Sequence, residues 1–304
     1  MRKATTFLFF LLPWLTYAQA PVSNLYLFDM HRRGDTLFVF SKPRFLTGFN
    51  ANGYNNHPSF FSEDEIYFSS QAPGEDQPDI RVIHLRDSTC RKITDTYEGE
   101  YSPRGSSYDF STFHLVRMEF PGRDTLIRLW QVPANPEFQM LMARPVFQDL
   151  TNVGYYEWVR PGLVALHLNG SPNQLALAVP ETSSVIPMAQ QVGRCFKMVP
   201  GSGQLVYLQK NFSKGHKLMR VDLGAYTGEK IPEPRPLVAP IPEREDFAVL
   251  NDGTLLMASG SRLFKFKPET DADWVLLSDF SEYQIYQITR IEVNPDNSRI
   301  ILVY

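Results

Sequence analysis

Apolar residues along this chain come in short runs, and polar turn residues break each run before a helical stripe can form. The runs fall at 25–28, 37–40, 66–68, 80–85, 113–117 and 163–168, then at 205–208, 255–257, 263–266 and 300–303. They are rich in β-branched, aromatic and leucine residues, with Gly, Pro, Asn and Asp between them. This pattern predicts an all-β protein built from short strands. The 23 prolines and 18 glycines reinforce it, because proline removes a backbone donor and glycine weakens a helix interior.

The runs also repeat. A short strand, a turn and a strongly apolar strand recur as PSFFSEDEIYFSS from Pro58, PRGSSYDFSTFHLV from Pro103 and YEWVRPGLVALHL from Tyr156. They return as FKMVPGSGQLVYL from Phe196, FAVLNDGTLLMAS from Phe247 and IEVNPDNSRIILVY from Ile291. Successive starts lie 45, 53, 40, 51 and 44 residues apart, a spacing that suits four-stranded propeller blades with variable loops. Further strands are predicted at 79–82 and 91–94, 127–130 and 138–142, 174–178 and 185–188, 217–221, and 262–266 with 274–277.

The sixth unit stops after two strands, and the missing half lies at the other end of the sequence, at 25–29, 36–40 and 45–47. Pairing the two ends completes a sixth blade and removes the open strand edges of an unclosed ring. The expectation is therefore a six-bladed β-propeller with four-stranded antiparallel blades, the last closed by N- and C-terminal strands. A single domain is expected over 21–304, with blades near 54–97, 99–150, 153–191, 192–240, 244–283, and 288–304 plus 24–48. The prolines at 232, 234, 236, 240 and 242 read as a stiff connector between blades four and five.

Composition narrows the setting. Arg2 and Lys3, an apolar stretch over 7–12 and the small-residue site Ala18-Gln19-Ala20 form a secretory signal, with cleavage expected near Ala20. The mature chain is then periplasmic or extracellular, with no transmembrane segment and as a monomer. A net charge of −3 with mixed signs offers no footprint for nucleic acid. Cys90 and Cys195 read as buried small hydrophobes, although an oxidising compartment permits their pairing. No HExxH pair and no Gly-x-Ser-x-Gly elbow occurs, and Gly201-Ser202-Gly203 reads as a hairpin turn.

The wording of the repeat brings a family into view. Asn56-His57-Pro58-Ser59-Phe60, then Ile66-Tyr67-Phe68-Ser69-Ser70, Asp79-Ile80-Arg81-Val82 and Lys92-Ile93-Thr94 resemble the TolB-type β-propeller repeat. Asn251-Asp252-Gly253 and Asn294-Pro295-Asp296 match its turn more closely than Ser62-Glu63-Asp64-Glu65, which lacks the usual proline and glycine. The resemblance implies an exported TolB-like propeller without a second domain. Relatives of that kind include translocation-system partners and peptidase gating domains, so the resemblance bears on fold more than on role.

Aligning the six repeats puts one tripeptide from each blade at the mouth of the central channel. These are Asn55-Asn56-His57, Glu100-Tyr101-Ser102, Val153-Gly154-Tyr155, Gly193-Arg194-Cys195, Arg244-Glu245-Asp246 and Ile288-Thr289-Arg290. The candidate ligand-binding residues are Asn55, Asn56, His57, Glu100, Tyr155, Arg194, Arg244, Glu245, Asp246 and Arg290. Three chemistries stay open for them. His57 is a ligand or general base, or else a polar lining residue held by a neighbour. Glu100, Asp246 and Asn56 are a hard-cation set for calcium, as in lactonase-like or hydrolase-like propeller enzymes. Arg194, Arg244 and Arg290, with Tyr155 as an apolar wall, grip an anionic small ligand, a peptide or a protein partner. The preferred reading is a non-enzymatic binding module without a cofactor. The calcium-dependent enzyme is the alternative.

Overall fold

In the sequence the second strand of each repeat is apolar at nearly every position, and the architecture explains why. A computed structural model describes residues 20–34, 37–105, 109, 111–228 and 230–304. The secretory segment expected before Ala20 lies outside the described residues. Six four-stranded antiparallel sheets form a ring, each sheet one blade. Leu163–Leu168, the second strand of blade three, is buried at every position because both faces of the sheet are covered. Leu163 and Ala165 pack towards blade four, while Val164, Leu166 and Leu168 pack towards blade two. A strand alternates its side chains between faces, so burial on both faces leaves one polar position, His167, held by Asn173. Ile300 and Leu302 against blade five, with Ile301 and Val303 against blade one, repeat the arrangement.

The core is accordingly six interblade clusters. Phe28, Phe280 and Ile291 lie between blades five and six, and Leu27, Phe68 and Ile301 between six and one. Tyr67, Phe113 and Val132 join blades one and two, and Cys195, Phe247 and Met257 join four and five. The ring closes as expected. Leu25–Arg33 pairs with Arg299–Val303, bringing Leu25 opposite Val303 and Leu27 opposite Ile301. The sheet order then runs outward from Arg290–Val293 through those two strands to Leu37–Phe45.

Two local expectations are corrected. The outer strand of blade two is Arg144–Pro145, and the predicted strand at 138–142 is instead a 3-10 turn followed by the short helix Gln139–Met142. Asn135 starts that turn by accepting the Glu137 N–H on its side chain, with Pro136 at the first helical position, a strong local helix start. The proline-rich segment is more than a connector, because Arg235–Val238 within it forms the outer strand of blade four. Pro236 is tolerated there since an edge strand has one unpaired side. Gly201 and Gly203 do make the hairpin turn, both at positive φ, and a Cβ on Gly203 would meet Gly224 Cα at 2.6 Å. Among the described residues no helix is long and apolar enough to cross a membrane.

Candidate functional site

The innermost strands converge on a central channel, and a repeated backbone irregularity aims their side chains into it. Blades one to four each break register in the innermost strand, between Asn56 and Ser59, Tyr101 and Arg104, Val153 and Tyr155, and Val192 and Phe196. Such bulges re-aim a side chain at the cost of ladder pairing. His57 and Ser102 adopt φ of 53° and 55°, each immediately before a proline. Left-handed conformations outside glycine cost of order 1–3 kcal/mol each. In blade one Asn56 offsets part of this, its side-chain oxygen accepting the His57 N–H at 2.8 Å.

The third residue of every aligned tripeptide lines the narrow waist of the channel: His57, Ser102, Tyr155, Cys195, Asp246 and Arg290. The waist holds only about 30 Å3 of free space. Above it, where the innermost strands begin, lies the near mouth, a cavity of about 210 Å3 lined by three arginines, Arg194, Arg244 and Arg290, and three carboxylates, Glu243, Glu245 and Asp246. Two residues further along each strand a second tier faces the same channel, because a strand repeats its facing every second residue. Ser59, Arg104, Glu157, Lys197, Ala248 and Glu292 occupy it, at the base of a far mouth of about 360 Å3.

Charges on the two tiers are arranged differently. Below the waist, Arg104 lies 3.6 Å from Glu157 and 3.8 Å from Glu292, and Lys197 Nζ bonds Glu292 at 2.8 Å. Two cations therefore face two carboxylates. Burial opposes ionisation of Glu292, but Lys197 and Arg104 outweigh it and hold the carboxyl below its usual range. Above, Arg194 Nε and Arg290 Nη1 approach one Asp246 oxygen at 3.3 and 3.5 Å, so two guanidiniums share a single carboxylate. Arg290 also donates Nε to Asn56 Oδ1 at 3.0 Å and lies over the Tyr155 ring at 5.8 Å. Burial works against its charge, yet Asp246 prevails and raises its pKa. With the Gln287 amide turned so that its oxygen faces the guanidinium, Arg244 donates both Nη groups to it, at 2.5 and 3.2 Å, a neutral partner. Glu245 is engaged elsewhere, by Lys210 Nζ at 2.5 Å and the Arg194 N–H at 3.2 Å.

His57 sits among aromatic edges, with Tyr54, Tyr101 and Tyr155 rings 6.1–6.3 Å away and the Tyr54 hydroxyl 3.3 Å from Nδ1. Burial first, then Arg290, Arg194 and Arg104, hold its pKa well below the ordinary histidine range. The imidazole is thus neutral, and the cations of the upper tier are arginines alone. The unfolded chain binds this proton near pH ~6.5 and the folded chain only well below it. Stability contributed by neutral His57 is therefore present above that pH and falls as the solution is acidified through it. Imidazole nitrogen NMR at pH 6 should show a neutral His57, and a midpoint at or above the free-histidine value would contradict the arrangement.

Of the sequence-derived candidates, the structure brings together Asn56, His57, Tyr155, Arg194, Arg244, Glu245, Asp246 and Arg290. Asn55 and Glu100 lie apart from them. Asn55 is buried under the loop before blade one, its amide bonded to the Ser23 and Asn50 carbonyls. Glu100 is fully buried in blade two, where one carboxylate oxygen takes Arg117 Nε at 3.0 Å and Nη2 at 2.7 Å. The reason is strand alternation: the first residue of a tripeptide shares its facing with the third only where no bulge intervenes. Glu100, Asp246 and Asn56 thus do not assemble as calcium ligands. Asp246 faces two arginines, Asn56 holds a third donor, and no cluster of three His, Cys, Asp or Glu side chains suited to a metal occurs among the described residues. Cys195 and Cys90 are both free thiols. Burial, with Asp246 nearby, pushes the Cys195 thiol up to about 12.

Arg104, Glu157, Lys197, Glu292 and the tyrosines at 54 and 101 were missed as site residues. A two-residue step along each aligned strand was the signal for the first four.

Fold and site together define a six-bladed propeller of TolB-like architecture with an arginine-lined near mouth. The fold is shared with putative TolB from Agrobacterium tumefaciens, at TM-score 0.62 and 10% identity, covering 92% of this chain and 97% of that one. TolB from Acinetobacter baumannii superposes at TM-score 0.55 and 8% identity over 92% of this chain, which spans only 64% of that protein. A gluconolactonase from Xanthomonas campestris does so at TM-score 0.56 and 10% identity, over 83% of this chain and 85% of its own. No protein-family model matches the sequence, and no curated protein sequence does.

Proposed function

We propose that this protein is a non-enzymatic binding module that holds a carboxylate, presented by a peptide or a small anionic molecule, in its near mouth. The observation that carries the reading is the convergence of Arg194, Arg244 and Arg290, from three blades, on one cavity of about 210 Å3, where Glu243, Glu245 and Asp246 also lie but Glu245 is taken up by Lys210. Arg194 and Arg290 share a single carboxylate, Asp246, and Arg244 has an amide partner. Guanidinium groups hold a planar donor fork that matches a carboxylate, and a narrow low-dielectric channel strengthens the attraction. The cavity has room for one residue-sized group, so a chain terminus or an acidic side chain fits better than a bulky anion.

TolB neighbours are consistent with a binding role, and the gluconolactonase neighbour raises the enzymatic alternative. That alternative is disfavoured here because its metal-ligand set is not assembled. The test is affinity selection from a tetrapeptide library with free C-terminal carboxylates against the same library amidated. Enrichment should be confined to the free acids, and Arg290→Gln should weaken the selected peptides about 10- to 100-fold, the loss of one charge-assisted bond pair. Equal enrichment of both libraries would overturn the reading.

A further inference from the structure

The far mouth of the channel, about 360 Å3, is a blind pocket, because the waist beneath it holds only about 30 Å3 of free space. Its walls are apolar and its floor is charged. Phe60, Trp158, Met198, Val249 and Val293 line the walls, and each directly follows the second-tier residue of its strand. Successive residues of a strand face opposite ways, so one strand supplies a floor position and then a wall position. Part of the rim is built from the repeat turns of blades five and six. Asn251 ties them together, its N–H donating to Asn297 Oδ1 at 2.7 Å and its side-chain amide to the Pro295 carbonyl at 2.8 Å. A rim fixed in advance reduces the ordering cost of binding. The volume falls within the range of about 300–1,000 Å3 usual for small-molecule pockets.

The floor holds donors and acceptors that the protein itself leaves unused. Lys197 is engaged by Glu292 at 2.8 Å. Arg104 is different: Glu157 and Glu292 oxygens stand 3.6 and 3.8 Å from its Nη1, beyond hydrogen-bond reach. Its guanidinium makes no hydrogen bond among the described residues. Burial opposes its charge, but the two carboxylates overcome that and keep it protonated. Glu157 accepts the Met198 N–H on Oε1 at 3.4 Å, and its Oε2 accepts no hydrogen bond among the described residues. Both side chains are open on the cavity, Arg104 28% and Glu157 15% exposed. A fork of N–H donors and an unused carboxylate oxygen thus stand 3.6 Å apart at the bottom of a blind pocket.

We infer that the far mouth binds a free α-amino acid with an apolar side chain, its carboxylate on Arg104, its ammonium on Glu157 and its side chain against the apolar walls. The floor carries two cations and two carboxylates, so a simple anion or a simple cation meets a like charge beside the opposite one. A zwitterion satisfies both kinds. The guanidinium fork matches a carboxylate. An α-amino acid carries its two charges on one carbon, which suits opposite groups only 3.6 Å apart. The two termini of a peptide are more widely separated and cannot use both groups at once. The inference is independent of the near mouth, from which the narrow waist separates this site.

The experiment is isothermal titration with saturation-transfer NMR of the full chain against L-leucine, L-methionine and L-phenylalanine, each beside its N-acetyl and its C-amide form. At least one free amino acid should bind saturably. Capping either end should weaken it about 10- to 100-fold, the loss of one charge-assisted contact. These arms use the unaltered protein, so folding is not at stake. Glu157→Gln, which keeps an acceptor for the Met198 N–H and removes the charge, should weaken the free amino acid to the same extent. An absence of saturable binding by all three, equal binding of capped and free forms, or a Glu157→Gln protein that binds like wild type overturns the assignment. So does a crystal grown with the tightest amino acid that shows only ordered water between Arg104 and Glu157.

Discussion

Leu27→Pro should open the ring and leave most of the protein without its native fold at room temperature. Leu27 is buried and sits in a strand bonded on both sides, opposite Ile301 towards the channel and Arg44 towards the outside. Proline there removes a ladder donor and leaves a buried carbonyl unpaired, costing about 1–3 kcal/mol. Loss of the leucine from the cluster with Phe68 and Ile301 adds roughly 2–5 kcal/mol. Together these approach the whole stability of an ordinary domain, about 5–15 kcal/mol. The control is Leu37→Ser on the exposed outer strand of the same blade, expected within about 0.5 kcal/mol of wild type. Urea unfolding followed by circular dichroism measures both. A cooperative, near-native transition for Leu27→Pro would mean that the terminal strands do not close the ring.

The second large effect is at Glu100. Removing its carboxylate leaves Arg117 buried, stacked 4.2 Å over Trp130 and without its anion. Breaking one side of a buried pair destabilises by about 3–5 kcal/mol. Glu100→Ala should therefore lower the unfolding free energy by that amount. Peptide binding at the near mouth should be unchanged in the folded fraction. Adding Arg117→Met should restore much of the loss, since an apolar pair of similar volume can replace a buried ion pair. Weakened peptide binding without a stability loss would return Glu100 to the mouth.

Glu100 also marks where the sequence stopped being legible. The blades were readable because their second strands are covered on both faces, which makes apolar runs such as 163–168 continuous and regularly spaced. Closure followed from half a blade missing at one end and surplus strands at the other. The near mouth was partly readable, because one tripeptide per blade falls at the same step of the repeat. Which of its three residues points inward depends on bulges at His57, Ser102, Tyr155 and Cys195, and a bulge leaves little trace in composition. Pro58 and Pro103 were the available hints, since each follows a left-handed residue. The helix at 139–142 was misread because Met, Leu and Phe at an exposed turn look like a strand core.

The opening cluster of the first blade illustrates the outcome. Asn55 secures a loop, Asn56 holds both the His57 backbone and Arg290, and His57 is a neutral wall of the waist. The guanidiniums of the mouth come from other blades. The most direct measurement of that claim is a crystal of the full chain grown with 4-bromobenzoate and phased for bromine. The account predicts one dominant anomalous peak in the cavity between Arg194, Arg244 and Arg290, with the carboxylate turned towards the guanidiniums, and its loss in Arg290→Gln. A cavity free of bromine at saturating 4-bromobenzoate, or a peak that Arg290→Gln leaves in place, would contradict it.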